Sequence, residues 1–302
     1  MKIAYLILAH NNPGVLQRSI RQLSNADSAF FIHIDKKADI ARFSNVKGEN
    51  IHFSKERVTV FWAEYSMVDA ILILLRQALQ FSPPYEYFIL LSGSDYPLRS
   101  RDYIRDFLET NRGSEYISIV KIPNEAAGQP LSKINSIWPP SDRPVVRFLA
   151  RAFGKFGLAR RDYRRYLGNL EPYAGATWWT LTRDACEYIV RFLDGNPRLE
   201  KFFRYTPASD EMIFHTILGN SEFRRRMRRN LFYTDWSDCG SHPAMIGERH
   251  ITLFQKQERV FFSDPYGSGE VLFARKFSDS NLSLVECIDR MIARKEGACP
   301  AH

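Results

Sequence analysis

Apolar positions in the first 120 residues recur in two alternating rhythms. Short continuous runs read as strands: KIAYLILA at Lys2 to Ala9, AFFIHID at Ala29 to Asp35, VTVFW at Val58 to Trp62, YEYFILLSG at Tyr85 to Gly93, and EYISIV at Glu115 to Val120. Between them lie stretches of helical period. Pro13 to Leu23 is opened by Asn12 and Pro13 and aligns Leu16, Ile20 and Leu23, and Ser66 to Phe81 is stopped by Pro83 and Pro84. Ser100 caps a third helix that aligns Tyr103, Ile104, Phe107 and Leu108. Strands alternating with helices predict βαβ units, and so an α/β fold with a mixed, mostly parallel sheet flanked by helices.

The rhythm fades from Ile122 to about Pro172, where Pro, Gly and Arg accumulate in a long irregular insertion, a feature that in compact domains usually carries function. It returns with a strand in TWWTLT (Thr177 to Thr182) and a helix bearing Ala185, Tyr188, Ile189, Phe192 and Leu193. A second helix is expected from Pro207, a strand at Gln257 to Phe262, and a last helix at Leu284 to Ile292. With neither repeats nor a low-complexity linker, one domain over 1–302 with a C-terminal extension is the simplest organisation.

Composition narrows the class. At 45% apolar residues over 302 positions a substantial core can form, which excludes general disorder. The opening apolar run, Ile3 to Ala9, is far shorter than the roughly 20 residues of a membrane span and leads into no cleavage site, so a cytoplasmic protein is expected. Cys186, Cys239, Cys287 and Cys299 form no CxxC pair, which suggests neither a zinc site nor a disulfide framework. The net charge of +8 is concentrated: Arg143 to Tyr166 holds eight Lys or Arg against one Asp, and RRRMRR (Arg224 to Arg229) adds five more. Apolar residues interleave with the first cluster, so a solvated face, an anionic membrane surface (the inner face of the membrane) and an acidic polymer all fit it. No nucleic-acid-reading motif accompanies the charge.

Candidate chemistry gathers where an open α/β sheet binds ligands, beyond the carboxyl ends of its strands. Ala9, His10 and Asn11 follow the first strand, Asp35 the second, and Ser92 and Asp95 the fourth, with Gly93 permitting close approach. Neither GxxxxGK[ST] nor GxGxxG occurs, so nucleoside triphosphatases and dinucleotide enzymes are disfavoured. A second centre is TPASDEMIFHTIL, Thr206 to Leu218. Asp210 and Glu211 would fall in the first turn of a helix, where an ionised carboxylate is favoured, as a general base requires. Dipole complementation alone is the plainer alternative. His215, four residues past Glu211, would share its face.

Eight segments in order resemble the core-2/I-branching β-1,6-N-acetylglucosaminyltransferase and peptide O-xylosyltransferase group, glycosyltransferase family 14. They are AYLILAHNNPGVLQRSI, FFIHIDKKAD, VTVFWAEYSMVDA, YFILLSGSDYPLRS, YAGATWWTLTRDACEYI, the Glu211 segment PASDEMIFHTILGNS, LFYTDWSDCGSHP and LFARKF. The last three islands are most similar to the xylosyltransferase branch. The resemblance implies a GT-A-like, Rossmann-related fold and an inverting transfer from a UDP-sugar without the Asp-x-Asp metal motif, and no Asp-x-Asp occurs here. It divides the chain into a nucleotide-binding half (1–121), an acceptor and catalytic half (122–235) and a diphosphate-binding extension (236–302).

By the same resemblance Glu211 is the catalytic base, Lys276 the diphosphate lysine, and Arg249, Arg259 and Arg275 are candidates for its arginine partner. Ala9, His10, Asn11, Asp35, Trp62, Ser92 and Asp95 would line the donor, and Asp210, Asp235, Trp236 and Trp178 the sugar and acceptor. No metal or other cofactor is expected, because fixed cations can offset the charge of a departing UDP. Partners would be the UDP-sugar and a glycan, glycolipid or peptide acceptor, without nucleic acid. Two rivals stand beside this reading: a basic binding protein without turnover, and a transferase using a metal through Asp35 or Asp95.

Overall fold

The computed structural model describes residues 1–141, 161–238 and 242–297. Strands β1 (Ile3–Ala9), β2 (Ser28–Ile34), β3 (Ile51–Phe53) and β4 (Tyr87–Ser92) pair in parallel, β1 lying between β2 and β4. Helices α1 (Pro13–Leu23) and α2 (Ser66–Leu79) form the crossovers. After the short β5 (Asp95–Pro97) and α3 (Arg101–Thr110), strands β6 (Glu115–Tyr116) and β7 (Ile119–Lys121) enter different sheets, so the expected strand at Glu115 to Val120 is split in two. One-turn helices α4 (Ser132–Asn135) and α5 (Arg164–Leu167) lie within the irregular insertion, followed by β8 (Tyr173–Gly175) and β9 (Thr180–Thr182).

Helices α6 (Arg183–Gly195), α7 (Pro197–Phe203) and α8 (Ile213–Gly219) are followed in the chain by β10 (Met227–Arg228) and β11 (Phe232–Thr234). The extension adds α9 (Glu248–Lys256), a hairpin of β12 (Phe261–Asp264) and β13 (Gly267–Glu270), β14 (Phe273–Arg275) and α10 (Leu282–Gly297). The main sheet runs β10-β6-β9-β4-β1-β2-β3, mixed because β9 is antiparallel to β4 and β6. The expected α/β fold, a mostly parallel sheet flanked by helices, is observed.

Alternation along the strands explains the layers. Ala4, Leu6, Phe31, Phe88 and Leu90 point to one face, under α2 and α6 to α8. Tyr5, Ile7, Phe30, Ile32, Ile89 and Leu91 point to the other, with Leu16 and Ile20 of α1 and Ile104 of α3. A third core joins the extension to Val15, Tyr96 and Leu98.

Two further expected elements differ. Val58 to Trp62 is not a strand: its backbone crosses the exit of β2, where the Val58 amide donates to His33 Nε2 at 3.0 Å and the Val58 carbonyl accepts from the Lys36 amide at 3.0 Å. Ile51–Phe53 takes the sheet edge instead. No α-helix begins at Pro207; a 3₁₀ turn at Ser209–Glu211 ends at Met212, and α8 starts at Ile213. That break separates Glu211 from His215, which is fully buried and bonds the Ala176 carbonyl through Nε2 at 3.1 Å.

Candidate active site

The chain leaves β1 toward β2 on one side and later places β4 on the other, so the strand order reverses at β1, the position beyond whose carboxyl ends open α/β sheets form a ligand-binding crevice. The Ala9 carbonyl accepts from the Asp35 amide at 2.8 Å, and the Leu8 carbonyl from the Gly93 amide at 2.8 Å. A Cβ on Gly93 would sit 2.8 Å from that of Ala9, so glycine is required for this approach.

Asp35 closes one side. Its carboxylate accepts from the Lys37 amide at 2.9 Å and lies 3.5 Å from the Lys37 ammonium. Arg57 fixes the loop by donating to the carbonyls of Ile34, Asp35 and Ala38 at 2.9, 2.8 and 2.7 Å. His10 stands exposed beside it, and Asn11 accepts from Asn12 Nδ2 at 3.2 Å. Desolvation lowers the His10 pKa; the Asp35 charge opposes this, and the charges of Lys276 and Lys37 reinforce it. Lys276 thus lies within electrostatic reach of the β1 exit, and its ammonium has no hydrogen-bond or ion-pair partner among the described residues.

Asp95 is withdrawn from the surface, whereas Ser92 beside it is half-buried. Asp95 is 1% exposed, and its oxygens accept from the Ser92 amide at 2.7 Å and the Ser92 hydroxyl at 2.8 Å. Burial raises its pKa against the pull of Arg275, whose Nε is 3.6 Å away. Arg275 lies beneath the crevice, its guanidinium 4.2 Å from the Trp178 ring centre. Its Nε and Nη1 hydrogens meet no acceptor among the described residues. One face of Trp178 is therefore taken by Arg275, and the half-buried ring packs against the two cores flanking the sheet.

Next to Trp178, Thr177 donates its hydroxyl to Asp210 Oδ2 at 2.7 Å. Asp210 is buried, so little of its surface is open to the substrate it was expected to line. Desolvation, then the Glu211 charge, raises its pKa to about 6. Glu211 turns the other way and remains one-third exposed, with Oε2 2.6 Å from Lys133 Nζ. Ala208, at φ 48°, donates its amide to the Ala63 carbonyl at 2.9 Å, which ties this turn to the loop carrying Trp62. Contacts therefore run continuously from Asp95 through Arg275, Trp178, Thr177 and Asp210 to Glu211.

Trp62 and Trp236 are 63% and 57% exposed. The Trp62 ring meets His242 edge-on at 5.8 Å. Asp235 is half-buried and held by three donors. It accepts from the Ser237 amide at 2.8 Å, His250 Nε2 at 2.8 Å and Arg249 at 2.6 Å. Burial acts upward on its pKa, but these hydrogen bonds hold it well below the usual carboxylate range. Arg259 leaves the set of diphosphate candidates. It donates to Glu270 at 2.6 and 2.8 Å, in a cluster with Arg99 and Tyr103.

Lys133, Thr177 and Arg57 escaped the sequence reading. Thr177 stands in a recognisable segment, but a lysine in an aperiodic stretch and an arginine bonded only to carbonyls carry no local signal. The basic stretch lies outside the described residues from 142 to 160, as do Cys239 and Cys299. Of RRRMRR, Arg224, Arg225 and Arg228 face solvent, Arg226 is 3.6 Å from Glu115, and Arg229 is buried against Asp264. No helix among the described residues is long and apolar enough to cross a membrane.

Xylosyltransferase 1 of Rattus norvegicus is 24% identical over 307 residues, covering 92% of this chain and 34% of that protein. Xylosyltransferase 2 of Homo sapiens is 24% identical over 314 residues, covering 96% and 33%. The chain spans about a third of the length of these curated relatives. Among solved structures, the apo form of mouse xyloside xylosyltransferase 1 is similar at a TM-score of 0.35 and 12% identity over 90% of this chain and 97% of that one, too loose a match to bear on function. The Core-2/I-Branching enzyme model matches residues 3–258. The chain belongs to the Core-2/I-branching enzyme family.

Proposed function

We propose that the protein is an inverting glycosyltransferase that moves xylose or N-acetylglucosamine from a UDP-sugar to a hydroxyl of a glycan, glycolipid or peptide, without a metal. The observation that supports this reading is a carboxylate one-third exposed, Glu211, in the same molecule as an ammonium, Lys276, that has no partner among the described residues and lies within electrostatic reach of His10 at the exit of β1.

In a single displacement the acceptor oxygen attacks the anomeric carbon opposite UDP, the bond from that carbon to the diphosphate breaks, and Glu211 takes the acceptor proton. The electron pair leaves on the diphosphate. Lys276 supplies a point charge there, and Arg275, whose Nε and Nη1 hydrogens have no hydrogen-bond acceptor among the described residues, is proposed as its partner. Arg249 stays close through Asp235 and can reach the phosphates only by leaving that pair. Asp35, His10 and Asn11 face the nucleotide, and the open faces of Trp62 and Trp236 suit a pyranose. Arg143 to Tyr166 is proposed as a peripheral contact with the anionic inner face of a membrane, where a lipid-linked acceptor would reside.

Glu211→Gln tests the reading. It should bind UDP in EDTA as wild type does, seen as an unchanged thermal shift, while UDP release from the active donor falls by roughly 10² to 10⁴. Undiminished turnover would end the assignment of the base. UDP stabilisation seen only with Mn²⁺ would favour the metal-using alternative. Polyanion binding that is steeply salt-dependent, with no response to UDP, would favour the binding protein.

A further inference from the structure

Lys133 lies 78 residues from Glu211 in sequence and projects from the one-turn helix α4. Its ammonium has two acceptors, Glu211 Oε2 at 2.6 Å and Gln129 Oε1 at 2.9 Å. The Gln129 amide in turn donates to the Tyr266 hydroxyl at 3.0 Å, in the turn of the β12–β13 hairpin. Ile134, fully buried beside Lys133, anchors the helical turn in the core. The insertion and the extension thus meet at one carboxylate.

This geometry has a consequence for the base. The backbone of Glu211 is set by the 3₁₀ turn, but its side chain has three rotatable bonds, and Oε1 has no hydrogen-bond partner among the described residues. A carboxylate turning freely would present either oxygen in many directions. With Oε2 held by Lys133, Oε1 is the oxygen left without a partner among the described residues, and the contact narrows the directions it can take. Asp210 cannot do this, because it is bonded to Thr177 on the far side and repels Glu211.

We infer that Lys133 is a positioning residue for the general base: held by Gln129, it clamps one oxygen of Glu211 so that the other faces the acceptor hydroxyl. The inference rests on the proposed role of Glu211. Because a misplacement of about 1 Å can cost on the order of a hundredfold in rate, removing the clamp should be visible in turnover while donor binding persists.

The test uses the full chain. Lys133→Met should lower kcat about 10- to 100-fold, with the donor KM and the thermal shift by UDP close to wild type. Lys133→Gln is the second variant, read in its place should the first unfold. In a Glu211→Gln background the Lys133 change should cost almost nothing further, since a clamp with no base to aim has no effect. A crystal structure of the Lys133 variant should show the Glu211 carboxylate displaced by about 1 Å or more, a reading that needs no turnover. Unchanged kcat, a raised acceptor KM at full kcat, additive losses in the double variant, or an unmoved carboxylate would each overturn the inference. Turnover surviving in Glu211→Gln alone would instead strike at the base itself.

Discussion

Asp210 and Glu211 show how two adjacent carboxylates acquire different characters. Successive residues of a tight turn point apart, so one enters the protein and meets Thr177 while the other reaches the crevice and meets Lys133. Burial has a sign that can be checked. The pKa of Asp210 is raised to about 6 in the folded chain, above the roughly 3.9 of an unfolded one, so the native state binds this proton more tightly. Its contribution to stability is full below about pH 4 and is lost as pH rises through about 6. Urea midpoints should therefore fall more steeply between pH 4 and 6 for wild type than for Asp210→Asn, which keeps an acceptor for Thr177 and cannot ionise. Parallel slopes would refute the assignment. The sequence marks both acids; which one the cleft receives depends on partners 33 and 78 residues away, which no local pattern encodes.

At the scale of elements, the start of α1 separates what local chemistry dictates from what the fold supplies. Asn12 and Pro13 place the first turn correctly, yet Asn12 makes no capping bond to its own helix. It adopts a left-handed backbone at φ 55°, and its amide nitrogen reaches Ser94 Oγ at 2.8 Å. The cap comes from Asp279, whose carboxylate accepts from the amides of Gly14 and Val15 at 3.0 and 2.8 Å. Asp279→Ala should cost about 0.5–2 kcal/mol, the usual range for losing a helix cap, read as a lower urea midpoint at unchanged slope. No loss would mean that water replaces the carboxylate without penalty. Helices are the most legible elements, since α2, α3 and α6 follow from apolar period and α3 also from its cap at Ser100, whereas the cap of α6 at Thr182 emerges only in the structure. VTVFW misled because its composition suits a strand, while the sheet edge beside β2 was filled by Ile51–Phe53. Propensity ranks candidates for an edge, and topology chooses among them.

Over the whole molecule, the extension is part of the core and carries Lys276 of the proposed site. Residues beyond 258, where the family match ends, supply Val260, Val271, Ala274, Phe277, Val285 and Ile288 to the third core. They also supply β14, which pairs with both β5 and β11, and Lys276 just after it. A chain cut after residue 258 would uncover Val15, Tyr96, Leu98, Tyr233 and Ile246, all now buried. It would also leave the amides of Gly14 and Val15 without their cap. At about 25 cal/mol per Å² of apolar surface, losing several such side chains at once outweighs the marginal stability of an ordinary domain. Residues 1–258 should therefore show no cooperative thermal transition and should bind a dye for exposed apolar surface, whereas the full chain melts in one step. A cooperative melt of the shortened chain would show that the two cores flanking the sheet suffice, and would reduce the extension to a carrier for Lys276.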